Sequence, residues 1–144
     1  MEIIVLIIGP PFKSIIPPDK VFISAGYGLG SALLQLKPAS DGKFIVSEVW
    51  KNRTMKTQFA NVAIRDGFVY GLDDGILSCI ELETGMRRWK DGRYGHGQIL
   101  LVEDLLLVQT EPGAIVLVEA NPNEHRELVR WPALKSKTWN NPAL

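Results

Sequence analysis

The chain holds one cysteine, Cys79, and two histidines, His96 and His125. A single cysteine excludes an internal disulfide and any cysteine-built metal cluster. Two histidines 29 residues apart, with the cysteine distant from both, do not give metal-ligand spacing either. An excess of one charge is also missing. The 16 basic and 16 acidic side chains cancel, with no long run of one sign, so the electrostatic footprint of a nucleic-acid binder is absent. Long apolar runs are lacking too. Ile3–Ile8 follows the acidic Glu2 and stops before Pro10-Pro11. A secretory leader wants a basic start and about 7–15 apolar residues, and a membrane span wants about 20. The expectation is no membrane span, with residues 1–18 a buried strand or a remnant segment. No stretch shows a long amphipathic helical period.

What is present is a tryptophan that recurs. Trp50, Trp89 and Trp131 lie 39 and 42 residues apart, and each closes a strand-like run: Ile45–Trp50, Met86–Trp89 and Glu127–Trp131. A period of about 40 residues marks a repeat architecture. With 46% hydrophobic and 22% charged residues, 144 residues make one globular domain or part of one.

The middle unit is the clearest. Asn61–Ile64, Phe68–Leu72, Ile76–Leu82 and Met86–Trp89 read as strands, with Asp66-Gly67, Asp73-Asp74-Gly75 and Thr84-Gly85 as turns. Asp-Gly between apolar runs is a strong hairpin signal. The next unit repeats the order with Gln98–Val102, Leu105–Gln109, Ala114–Glu119 and Glu127–Trp131. Its last turn, Ala120–Arg126, is longer, which accounts for most of the change in spacing. In the earlier unit, Val21–Ala25, Ala32–Lys37 and Phe44–Trp50 fit the second, third and fourth strands. Trp139–Leu144 reads as the opening of another unit. The density of Val, Ile and Leu on both faces fits strands covered on both sides. The fold class expected is all-β, in four-stranded antiparallel units.

The run Ile80-Glu81-Leu82-Glu83-Thr84-Gly85-Met86-Arg87-Arg88-Trp89 resembles the tryptophan-docking repeat of the quinoprotein alcohol dehydrogenase-like β-propellers, Ala-x-Asp-x-x-Thr-Gly-x-x-x-Trp. Thr84, Gly85 and Trp89 fall at their positions, while Ile80 replaces the Ala and Leu82 the Asp. The resemblance implies a partial propeller of about three blades over residues 19–144. It gives Trp50, Thr84, Gly85, Trp89 and Trp131 structural roles, each indole docking on the neighbouring blade. It also implies a noncatalytic interaction scaffold in an extracytoplasmic or periplasmic setting, similar to outer-membrane assembly propellers. Full rings have roughly seven or eight blades, so the partners implied are the remaining blades of a longer parent or other protein chains. The alternative is part of a dehydrogenase using pyrroloquinoline quinone (PQQ). Its cofactor and calcium would then lie mostly outside this chain, and no catalytic, cofactor or metal residue is assigned here.

Other constellations weigh less. Gly26, Gly28 and Gly30 after the strand Val21–Ala25, with Glu48 further on, suggest a dinucleotide turn. However, Ser31 stands where the third motif glycine belongs, and Pro38 would stop the helix early. His96 is read as a turn histidine and His125 as solvated. Asp73-Asp74-Gly75 lacks the regularly spaced acids of a calcium loop. Arg87, Arg88 and Lys90 are read as a solvated strand edge. Ser24, Ser31, Ser47 and Ser78 have no nucleophile-elbow context. Cys79, within an apolar strand, is read as a buried inert thiol.

Overall fold

The computed structural model describes the backbone of residues 4–6 and the whole of residues 19–142. The remainder of the opening run, Pro10-Pro11 and the last two residues fall outside the described part. Twelve strands form three four-stranded antiparallel sheets, each a simple meander. The first sheet is β1 (Ile4–Leu6), β2 (Lys20–Ala25), β3 (Gly30–Pro38) and β4 (Phe44–Asn52). The second is β5 (Val62–Arg65), β6 (Phe68–Asp73), β7 (Ile76–Glu81) and β8 (Arg87–Arg93). The third is β9 (Gln98–Val102), β10 (Leu105–Gln109), β11 (Ala114–Glu119) and β12 (Glu127–Pro132). The described residues contain no helix. Hence none is long and apolar enough to cross a membrane.

The turns explain the meanders. Asp66-Gly67 and Asp74-Gly75 both place two successive residues at positive φ. This is the I′ geometry, whose twist matches that of the flanking strands. The first sheet takes its fourth strand from within residues 1–18, because Ile4–Leu6 pairs with Phe22–Ser24. Ser31–Lys37, the stretch a dinucleotide site needs as helix, is strand, paired on both sides over residues 31–35 and with β4 alone at Leu36 and Lys37. Glu48 is exposed on β4, so the glycine-rich segment is a hairpin turn without the helix N-terminus that binds phosphate.

Two apolar clusters join the sheets. Phe22 and Leu33 of the first sheet pack with Val62, Val69, Ile80 and Leu82 of the second. Tyr70, Leu77 and Cys79, on the opposite face of the second sheet, pack with Ile99, Leu106, Val116 and Val118 of the third. The second sheet is therefore covered on both faces, so β6 and β7 lack in–out alternation.

Every fourth strand carries a bulge. The register slips between Leu33 and Leu34, between Cys79 and Ile80, and between Leu117 and Val118. The residues just past the slip are Trp50 opposite Leu33, Trp89 opposite Cys79, and Val129 opposite Leu117. The structural counterpart of Trp50 and Trp89 is thus Val129. Trp131 stands two residues further along, at the place that Asn52 holds in the first sheet. The turn hydrogen bonds agree: Tyr94 N–H donates to the Gly75 carbonyl and Leu134 N–H to that of Gly113. The donors Tyr94 and Leu134 are 40 residues apart, as are Trp89 and Val129, while the acceptors Gly75 and Gly113 are 38 apart. Residues 133–142 form no strand. Instead, Gln98 donates to the Trp139 carbonyl, and the Trp139 ring packs on Phe59. Trp139 therefore anchors a crossing segment, and the last two residues of the stretch read as the opening of another unit lie outside the described residues.

Candidate functional site: the sheet junctions

Trp50 leaves β4 directly after its bulge and reaches the second sheet. Its indole Nε1–H donates to the Leu82 carbonyl at 2.8 Å. The ring lies over Gly85, where an added Cβ would stand 2.7 Å from Cε3 and 2.8 Å from Cζ3. Asn52 Nδ2 donates to the Gly85 carbonyl at 3.0 Å, and Lys20 pairs with Glu83 at 2.6 Å. Thr84 Oγ1 donates to the Glu81 carboxylate and accepts from Met86 N–H. The Thr84-Gly85 turn is therefore shaped from inside its own sheet and capped by an indole from the previous one. Gly85 is required twice, by a φ of 69° and by the ring above it. Gly85→Ala is expected to cost about 2 kcal/mol, combining left-handed strain with displacement of the indole. A lower urea midpoint with red-shifted tryptophan emission checks this.

Trp89 repeats the contact at the next junction. Its Nε1–H donates to the Asn121 carbonyl at 2.9 Å, and its ring packs on Tyr70 and edge-on to His125. Both indoles reach a carbonyl 32 residues onward, in the turn between the third and fourth strands of the following sheet. Trp131 makes no such contact among the described residues and is 70% exposed, beside Val129 at 51%.

A polar network braces the second junction. Tyr94 Oη donates to Glu127 at 2.9 Å and lies 2.8 Å from His125 Nε2. With the hydroxyl proton given to Glu127, His125 Nε2–H is the donor to Oη. Arg130 binds Glu127 through two nitrogens and covers the Tyr94 ring at 5.3 Å. Burial, then the Glu127 bond, push the Tyr94 hydroxyl up. The Arg130 bonds hold Glu127 below its usual range, against burial. His125 is thus a packed member of the junction, because Trp89 and Tyr94 enclose it.

The second network centres on Asp73, whose side chain is 0% exposed. It accepts from Lys56 N–H at 2.9 Å, Lys56 Nζ and Lys90 Nζ at 2.8 Å, and Arg87 at 3.1 Å. Arg87 and Lys90 converge because the bulge at Arg88 changes the strand's parity between them. Arg88 alone stays outside, on Glu81 and over the Phe68 ring. The cluster is a buried carboxylate ringed by partly exposed cations, so Arg87 and Lys90 share an ion network while Arg87 also keeps 40% of its side chain in solvent. Sequence reasoning missed it because strict alternation puts Arg87 and Lys90 on opposite faces. It missed Val129 because Trp131 is the louder residue, although counting 40 from Trp89 reaches it.

Most of the remaining candidates are engaged or enclosed, while Ser47 is exposed on β4. His96 N–H donates to Glu111, and its ring meets Phe59 edge-on. Ser24 and Ser31 donate to the carbonyls of Met55 and Thr54, and Ser78 to that of Trp89. Burial pushes the Cys79 thiol up to about 12, away from the thiolate that reacts. Among the described residues, no three His, Cys, Asp or Glu side chains group to hold a metal.

The chain matches no family model, and no curated protein is similar to it. The reading of the junctions therefore rests on their own geometry.

Proposed function

We propose that the chain is a segment of a quinoprotein-like β-propeller and works as a noncatalytic protein-interaction scaffold. The observation that carries the reading is the repeated junction. An indole just past a fourth-strand bulge donates to the turn carbonyl of the next meander, at 2.8 Å and again at 2.9 Å. Repeated sheets that bury a face only against their neighbours are the physics of propeller blades. The titratable groups support a structural role. The Tyr70 and Tyr94 hydroxyls and the Cys79 thiol are pushed up, and Asp73 and Glu127 are held by cations. None is tuned toward accepting or releasing a proton near neutral pH. An extracytoplasmic setting, with partners reached through loops or sheet faces, belongs to the same proposal.

The test adds PQQ and calcium to the full-length protein. Cofactor binding is followed by tryptophan quenching, and turnover by dye-linked alcohol oxidation. The expected result is neither binding nor oxidation. Saturable binding with oxidation would replace the scaffold by the dehydrogenase reading.

A further inference from the structure

We propose that a cavity between the second and third sheets binds one carboxylate of a partner polypeptide, on an acidic side chain or at a chain terminus. The inference rests on the scaffold reading and names the chemistry of its partner. Both walls of the cavity lie within the described residues.

The second sheet shows what this place holds when it is filled. Asp73 pairs with Ile76 across its turn, and Thr110 N–H donates to the Ala114 carbonyl across the next. Lys90 stands opposite Ser78 just past Trp89, and Arg130 opposite Val116 just past Val129. Asp74 N–H donates to the Lys56 carbonyl, and Glu111 N–H to that of Tyr94. Thr110, Arg130 and Tyr94 therefore stand where Asp73, Lys90 and Lys56 stand one sheet earlier. There the Asp73 carboxylate fills the space and takes both lysines. In the third sheet the turn residue is a threonine, so that place has lost its acid.

What remains is a cavity of about 360 Å³, lined by Arg93, Tyr94, Thr110, Glu111, Ala114 and Arg130. Its volume falls within the roughly 300–1,000 Å³ of ligand pockets. Arg93 and Arg130 are exposed, so the cavity opens to solvent. The lining supplies donors. Arg130 spends Nε and Nη2 on Glu127 and keeps Nη1. Glu127 and the Tyr94 ring, 5.3 Å away, already hold its guanidinium in place, so little freedom is lost on binding. Thr110 Oγ1 accepts from Ala114 N–H and keeps its own O–H to donate. Among the described residues no carboxylate pairs with Arg93.

Charge decides the ligand. Glu127, opposite Val118 as Arg87 is opposite Ile80, pairs with Arg130, and Lys137 lies 3.6 Å from Glu111. The Arg130 bonds hold the Glu127 carboxyl below its ordinary range, and the His96 N–H does so for Glu111. Both are therefore charged at neutral pH. One positive charge, that of Arg93, is left over, and a single carboxylate balances it. A phosphate group carries about −1.5 to −2 at pH 7 and would be repelled by Glu111 and Glu127.

The test is fluorescence anisotropy of labelled short peptides titrated with the full chain. One peptide carries a central aspartate and an amidated end. Another is apolar with a free C-terminal carboxylate, and the control has asparagine and an amidated end. A carboxylate peptide should bind saturably, about tenfold or more tighter than the control, and more weakly as salt rises. The tighter of the two tells side chain from terminus. Thr110→Asp should return the acid in cis and abolish binding, with unchanged far-ultraviolet circular dichroism, whereas Thr110→Ser should bind as the wild type does. Arg93→Gln, at an exposed residue, should weaken binding about tenfold and reads the site even where Thr110→Asp unfolds. Binding equal to the control, unmoved by Arg93→Gln, or kept by a folded Thr110→Asp would each overturn the proposal. So would inorganic phosphate that displaces the peptides better than acetate does. Acetate that binds as tightly as the better peptide would overturn the polypeptide partner. Absence of all binding would overturn this site alone, since the scaffold reading falls only on PQQ-linked oxidation.

Discussion

Asp73→Asn is expected to lower folding stability by about 3 kcal/mol, the scale of breaking a buried, hydrogen-bonded ion cluster. The carboxylate is wholly enclosed, and three cations with one backbone N–H share its two oxygens. Asparagine keeps an acceptor for Lys56 but turns an amide N–H₂ toward Lys90 and Arg87. The effect should appear as a lower urea midpoint at unchanged slope. Acid and alkali should reveal the same cluster. Burial pushes the Asp73 carboxyl up, but Lys56 and Lys90 outweigh it and hold it below its ordinary 3.8. The stability it adds is therefore present above that value, and is lost as pH falls through the lower folded value. Burial pushes Lys56 down, but Asp73 and Asp74 raise it above its ordinary 10.5. Its contribution is present below 10.5 and fades as pH rises through the higher folded value. The variant should flatten both limbs of a stability-against-pH curve. An acid limb as steep as that of the wild type would show that the cluster is not its origin.

The second large effect belongs to Trp89. Trp89→Ala should cost about 3–4 kcal/mol, within the range for removing a packed aromatic. It empties space between Tyr70 and His125 and strips the Asn121 carbonyl of its donor. Trp131→Ala, at a residue with 70% of its surface in solvent, should change monomer stability by no more than about 0.5 kcal/mol. Equilibrium unfolding of both variants at dilute concentration reads the contrast. Equal costs would mean that the indole's identity matters and its junction does not.

Most strands could be read from the sequence because turn chemistry here is local. Asp66-Gly67, Asp74-Gly75 and Thr84-Gly85 each fix a reversal whatever the rest of the chain does, and the strands fill the gaps. Residues 1–18 read as a strand or a remnant, but the sheet that Ile4–Leu6 joins was not legible because the pairing crosses a long separation in sequence. The bulges were also hidden, since an extra residue leaves no compositional mark. That is why Arg87 and Lys90 looked divergent while they share one carboxylate. The tryptophans announced the junctions, but their carbonyl partners at Leu82 and Asn121 could not be found without coordinates. A backbone acceptor has no sequence signature.

The third sheet's register has a mechanical consequence. Trp131 is displaced from the position of Trp50 and Trp89 by two residues, which is one full period of a strand. A shift of one would have turned the ring to the other face. A shift of two carries it about 7 Å along the strand while it keeps facing the same way. At that shifted place the ring meets no turn carbonyl among the described residues and stands 70% exposed. The docking made by Trp50 and Trp89 therefore belongs to the position just past the bulge and not to the indole wherever it falls along the strand.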